Sequence, residues 1–373
     1  MLQYIGKELR ITVHRVLWEL LPPPQYRKPL TWRNVPNAFA YLIPFCFMAY
    51  LVRRRETRII RLLVLPTVIV MAIRGTFSYD WFDPRFSFFT WVRGLFGLTI
   101  MGMSIDYALV KNGRFKIGEN TLPALHESPP VSTGSSDGIE QNAQSIFPTW
   151  LVDVVEVCSA LRGFGWDIGR GVHVPTDPRP LDRELFIKAT MLTFVKHFLI
   201  LDFLETIIKF IPGIGTPAGG SIFYASLPLA PRILVSTSIV LLSAALMISG
   251  FETIYAAITI VAVQYLGHPP SAWPPLMDNP WAADSLSDFW AKRWHQALRR
   301  SFLVFGGIPG GWIAGRVGVV LGAFLASGMF HECGTYLLGR GFDHRVTVFF
   351  AVQGIFVVLE RVWKKWMHGI TED

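Results

Sequence analysis

Apolar residues run along this chain in long blocks, and short basic or Pro/Gly-rich turns separate the blocks. The blocks cover about 37–52, 59–73, 88–110, 185–211, 233–266, 302–338 and 346–366. Each approaches the roughly 20 residues that a helix needs to cross a bilayer core. The first two are short, so their ends must reach into flanking polar residues. Pro66 predicts a kink in the second block, and Gly250 and Glu252 interrupt the 233–266 run, which is either two spans or one long broken helix. The pattern predicts an all-α polytopic membrane protein with about eight transmembrane helices. Ahead of them, Leu2, Ile5, Leu9, Val13, Val16, Leu17 and Leu20 repeat at helical spacing opposite Lys7, Arg10 and Arg15. Residues 1–35 therefore read as an amphipathic segment, lying in the interface or packed on the protein itself and stopped by Pro22-Pro23-Pro24.

Composition agrees with this class. Of 373 residues 51% are hydrophobic and only 17% charged, outside the range of ordinary soluble domains. The net charge of +8 comes from short clusters between apolar runs, as in cytoplasmic loops of membrane proteins and unlike a nucleic-acid-binding face. Arg53, Arg54, Arg55, Arg58 and Arg61 place the first turn in the cytosol by that rule. Three scattered cysteines, Cys46, Cys158 and Cys333, form no metal or disulfide spacing.

The first helices occupy 36–110, and a polar region follows at 111–184. Its middle, 117–148, is rich in Pro, Ser and Gly and reads as disordered. An interfacial helix is expected over 149–163, with Leu151, Val154, Val155, Cys158 and Leu161 on one face opposite Asp153 and Glu156. The LRGFGWD run after it is a surface anchor or the lip of a substrate path. Two acyltransferase-like patterns carry little. His173 to Asp177 contains a proline and is followed by Pro178, and His197 to Asp202 places side chains about 140° apart on a helix.

The remaining candidates sit in the membrane core, 185–373. His331 and Glu332 form an ionisable pair inside an apolar helix, which is expensive and points to function. Ser327 and Gly328 share the His331 face, leaving room for a second helix or for a substrate. A neutral imidazole there can take the proton of a hydroxyl attacking a carbonyl; a buried histidine satisfied by a carbonyl or by Glu332 is the competing reading. The second candidate, His295, lies in a loop with Trp290, Arg293, Trp294 and Gln296, followed by Arg299 and Arg300. These arginines suit phosphates and the tryptophans offer flat faces, although an interfacial helix with snorkelling arginines would look the same.

The runs PPLMDNPWAADSL, SLSDFWAKRWHQALRR, SGMFHE and LRGFGWD resemble the wax synthase-like branch of the membrane-bound O-acyltransferase superfamily, which includes fungal terpenoid and meroterpenoid acetyltransferases. The close match covers about 266–339. The resemblance implies that His331 is the intramembrane histidine of that family and His295 its partner in the loop. It implies acyl transfer from a coenzyme A thioester to the hydroxyl of a lipophilic alcohol, with no metal and no bound cofactor. On that expectation His331 and His295 are catalytic, and Trp290, Arg293, Trp294, Gln296, Ser327 and Glu332 contact substrate or donor. The partners are acyl-CoA (acetyl-CoA foremost), the alcohol and membrane lipid, and the location is the endoplasmic reticulum. A fatty alcohol as acceptor, a membrane terpene cyclase using Glu332 as acid, and a non-catalytic transporter or scaffold remain alternatives.

Overall fold

The computed structural model describes residues 18–125, 148–214 and 220–371, together with residues 8, 12, 15 and 16. Most of the expected amphipathic helix and of the 117–148 stretch lies outside the described residues. Among the described residues, eight helices of eleven residues or more frame the fold: α1 (Leu42–Val52), α2 (Arg58–Phe77), α3 (Ser87–Leu109), α4 (Thr149–Ser159), α5 (Arg183–Phe210), α6 (Leu229–Gln264), α7 (Ile308–Leu337) and α8 (Arg345–Thr371). Strand is confined, among the described residues, to β1 (Lys28–Pro29) paired in parallel with β2 (Tyr79–Asp80). Among the described residues, six helical segments are long and apolar enough to cross a membrane. The protein is a mostly helical, multi-pass membrane protein.

The chain divides into two compact units. One holds residues 1–172, 282–291 and 296–373, the other 173–281 and 292–295. In the first, α1, α2 and α3 pack around Phe45, Met48, Val52, Val68, Ala72 and Tyr107, with Val154 and Val157 of α4 added to the same cluster. α4 turns a different face inward from the one its apolar residues suggest. Asp153 is buried because its carboxylate accepts from Arg53 at 2.9 Å, while Val155 is exposed. Burial raises the pKa of the Asp153 carboxyl, against the opposing pull of Arg53 and Lys116. Residues 117–125, read from composition as the start of disorder, are tied down where described. Glu119 bonds Arg53 at 2.7 Å, and the Leu125 carbonyl accepts from the Tyr50 hydroxyl at 2.6 Å.

The basic residues also differ from their expected placement. Arg53, Arg54 and Arg61 are almost fully buried. A helix end leaves its last carbonyls without internal partners, and cations are favoured there; arginines fill that role repeatedly. Arg93 donates to the carbonyls of Gly75, Thr76 and Tyr79 at the end of α2, and Arg61 to those of Tyr107 and Lys111 at the end of α3. In the second unit Arg183 donates to Val263 and Gln264 at the end of α6. Arginine density in the first turn thus reflects helix capping as well as any preference for the cytosol.

The second unit is built on α5 packed against α6. The Asp182 side chain caps α5 by accepting from the Leu185 N–H at 3.0 Å. The 233–266 run is one helix of 36 residues, unbroken by Gly250 or Glu252. At 1.5 Å per residue it is about 54 Å long, well beyond a bilayer core of about 30 Å.

The 302–338 block departs furthest from expectation. Its hydropathy predicts a single span, but inside α7 Ala314 (φ −136°, ψ 27°) and Gly315 (φ 55°, ψ −138°) leave helical geometry. The chain reverses there. A Cβ on Gly310 would run into the Gly318 carbonyl and one on Gly306 into the Gly322 carbonyl, with the reciprocal clashes for Gly318 and Gly322. Backbones approach that closely only where glycine leaves room. Residues 299–337 therefore form a helical hairpin whose tip exposes Trp312 and Ile313 at 80% and 87%, and both of its feet lie at the same end.

Candidate active site

The hairpin returns His331 to the level of Phe302 near the start of the first arm, with ring centroids 6.2 Å apart. Its Nδ1 lies 2.7 Å from the Ser327 carbonyl oxygen one turn earlier. A carbonyl only accepts, so Nδ1 carries the hydrogen and the neutral ring keeps its lone pair on Nε2. Phe350 of α8 stacks on the imidazole at 4.6 Å and 20°, and Phe330 packs edge-on at 5.6 Å. The ring is thus held in plane and tautomer by one hydrogen bond and two aromatic faces.

α8 reaches His331 because α7 makes space for it. A Cβ on Gly328 would meet the Thr347 backbone at 2.7 Å. Glu332 completes the junction. Its buried carboxylate accepts from the backbone N–H groups of Asp343 and His344 at 3.1 Å, and from the N–H and hydroxyl of Thr347 at 3.2 Å. Four donors around a carboxylate at the start of a helix make an end cap. The resemblance implies contact of Glu332 with substrate or donor; in the structure both its oxygens accept hydrogen bonds that join α7 to α8. Ser327, also expected at substrate, is buried and acts on the imidazole through its carbonyl. Cys333 packs toward the α1–α3 core.

Of the loop residues, Trp290 stands within this unit. Its ring packs on Phe324 at 5.6 Å and Phe350 at 5.9 Å, and its Nε1 donates to Gln353 at 3.4 Å. Phe350 therefore touches both Trp290 and His331, a link that no motif in the α8 block announces. Gln296 is buried and donates to the Trp290 carbonyl at 3.1 Å, closing the loop over residues 291–295. Arg300, which from sequence suits either a phosphate or the membrane interface, has its guanidinium paired with the buried Asp106 of α3. Arg114 holds the same carboxylate and also reaches Asp167 at 3.1 Å. A small cleft of about 20 Å³ opens beside this pair, lined by Gly102, Asp106, Leu161, Ala297, Arg300 and Ser301 among others. The LRGFGWD run borders it at Leu161, while Trp166 is buried under Arg53, whose guanidinium lies 4.9 Å from the ring centroid.

Arg293, Trp294 and His295 belong to the second unit. There the His295 ring packs on Phe251 at 4.9 Å and Trp294 meets the same ring edge-on at 6.2 Å. His173 is not paired with Asp177, which binds Arg179. Its Nε2 lies 2.7 Å from Asp278. His197 and Asp202 are not bonded to each other, and Lys209 pairs with Glu205 one turn away at 2.6 Å, as i, i+4 spacing predicts. No cluster of three metal-ligating side chains occurs among the described residues.

The fold and this histidine-bearing hairpin define a helical membrane protein with a base-like imidazole held in an apolar, aromatic setting. Residues 273–352, which include the loop, the hairpin and the start of α8, match the model of the Membrane bound O-acyl transferase family. Its relatives include O-Mevalon transferase yanI of Aspergillus niger, 27% identical over 230 residues, 55% of this chain and 51% of that protein. Acetyltransferase aurG of Calcarisporium arbuscula is 27% identical over 35% of this chain and 34% of its own. A long-chain-alcohol O-fatty-acyltransferase of Simmondsia chinensis is 31% identical over 32% and 36%. The matches span about half the length of the first relative and about a third of the other two. No solved structure matches the chain.

Proposed function

We propose that the protein is an O-acyltransferase of the endoplasmic reticulum membrane, moving an acyl group, foremost acetyl, from acyl-CoA to the hydroxyl of a lipophilic terpenoid or meroterpenoid. The observation that carries this reading is the His331 tautomer: Nδ1–H bound to the Ser327 carbonyl and the Nε2 lone pair left as proton acceptor, within the segment that matches the family. Nε2 takes the proton of the alcohol as its oxygen attacks the thioester carbonyl. The tetrahedral intermediate collapses to the ester, and the departing thiolate recovers the proton from the imidazolium. The Ser327 carbonyl, facing Nδ1–H throughout, favours the imidazolium formed on the way. General-base help of this kind is worth typically about 100- to 10,000-fold.

His295 is assigned the second role, donating to the developing oxyanion or orienting the reactants, on the motif in which it stands. Trp290, Arg293, Trp294 and Gln296 are assigned to donor entry, on the motif in which they stand. A fatty alcohol is the second acceptor class, favoured by the Simmondsia relative. Comparing metabolites of a host with and without the gene tests the assignment. A new product heavier than a terpenoid precursor by one acetyl supports the first acceptor, and a wax ester supports the second. Turnover that needs no acyl-CoA would point to another chemistry, such as cyclisation.

A further inference from the structure

The second unit contains a polar clip that none of the roles above uses. His173 stands in the irregular segment before α5, and Asp278 in the proline-rich stretch after α6, 105 residues apart. The His173 Nε2 lies 2.7 Å from the Asp278 carboxylate, and since a carboxylate accepts, Nε2–H donates. Asp278 is bound in turn to Arg293. Its backbone N–H donates to the Arg293 carbonyl at 2.9 Å, and an Arg293 guanidinium N–H donates to the Asp278 carbonyl at 3.3 Å. Asn279, directly after Asp278, is held at φ +44° ahead of Pro280. Only asparagine, aspartate and glycine visit that region readily, and surrounding contacts must hold it there. Two residues beyond Arg293 stands His295, its ring on Phe251.

We propose that His173 and Asp278 are a positioning pair for His295. His173 fixes the Asp278 side chain, Asp278 fixes the Arg293 backbone, and the short chain to His295 inherits that placement. This rests on the reading that His295 takes part in acyl transfer. A clip spanning 105 residues costs loop-closure entropy, and its two partners are both only partly buried, so it adds little to the core. What it does set is the geometry of a segment whose misplacement by about 1 Å can cost 100-fold in rate.

Hydrogen–deuterium exchange on the full chain in detergent tests the structural half without needing activity. His173→Ala should raise exchange in peptides covering 276–282 and 291–297 by about tenfold or more, with 320–335 unchanged. His173→Gln, which keeps a donor, should recover most of the protection. Unchanged exchange at 291–297, or an equal rise throughout 183–264, would overturn the proposal, the second by showing a general brace. The functional half is read with acetyl-CoA and the probe alcohols geraniol and 1-dodecanol. His173→Ala should lower kcat at unchanged KM for acetyl-CoA, and should cost nothing further in a His295→Ala background. Independent, additive losses would overturn it. Absence of acetyl transfer by the wild type in the same assay would defeat the acyltransferase reading while leaving the exchange result standing.

Discussion

At the scale of single residues, neighbouring side chains in one helix do different work. His331 keeps its lone pair on Nε2 because its other nitrogen is occupied, whereas Glu332, one position on, is engaged by the start of α8. Glu332→Ala should therefore act on stability. It removes a buried charged acceptor and leaves three backbone N–H groups unpaired, a loss of about 3–5 kcal/mol. A lower thermal midpoint in detergent, milder for Glu332→Gln, is the expected result; normal midpoints with lost turnover would place Glu332 at substrate instead. Phe350→Ala removes the stacked face from His331, and aromatic pairs are worth roughly 0.5–1.5 kcal/mol beyond burial. Turnover should fall by about tenfold with donor KM unchanged. His295 separates by replacement: His295→Asn keeps a donor and should retain measurable turnover, while His295→Ala should lose about 2.7–4 kcal/mol of transition-state stabilisation. Equal collapse of both variants would mean that His295 also moves protons. From sequence, His331 was legible because an ionisable group in an apolar helix stands out. The work of Glu332 and Ser327 was not, since both act through backbone groups that no side-chain motif records.

At the scale of elements, the hairpin decides where His331 lies. Hydropathy sees residues 302–338 as one uniform apolar block, and the reversal at Ala314–Gly315 changes no hydropathy at all. Only the spacing of Gly306, Gly310, Gly318 and Gly322 carried a hint, because reversing the chain at 314–315 sets them opposite one another in pairs. A single span would put Arg299 and Arg340 on opposite sides of the membrane, and the hairpin puts them on the same side. Cysteines introduced at these two exposed positions should react with an impermeant reagent from one side only, the same for both. Reaction from opposite sides would dismiss the hairpin. Gly318→Leu should prevent the arms from closing and reduce both yield and activity. The buried arginines were misread for a related reason. A basic cluster looks alike whether it faces the cytosol or caps helix ends, and only partners such as Asp153 and the Gly75 and Tyr107 carbonyls tell these apart.

For the whole molecule, hydropathy blocks gave the helical membrane class, and the motif-bearing stretch 266–339 coincided with most of the family match at 273–352. The account stands or falls on His331 acting as a base and not as a packing residue. The most direct measurement is acyl transfer from labelled acetyl-CoA to the acceptor identified by metabolite comparison, for wild type and His331→Ala at matched expression, with thermal midpoints recorded alongside. The prediction is a loss in kcat of about 100-fold or more, with donor KM and thermal midpoint near those of wild type. A variant that loses its fold while the surviving protein keeps its specific activity would contradict it.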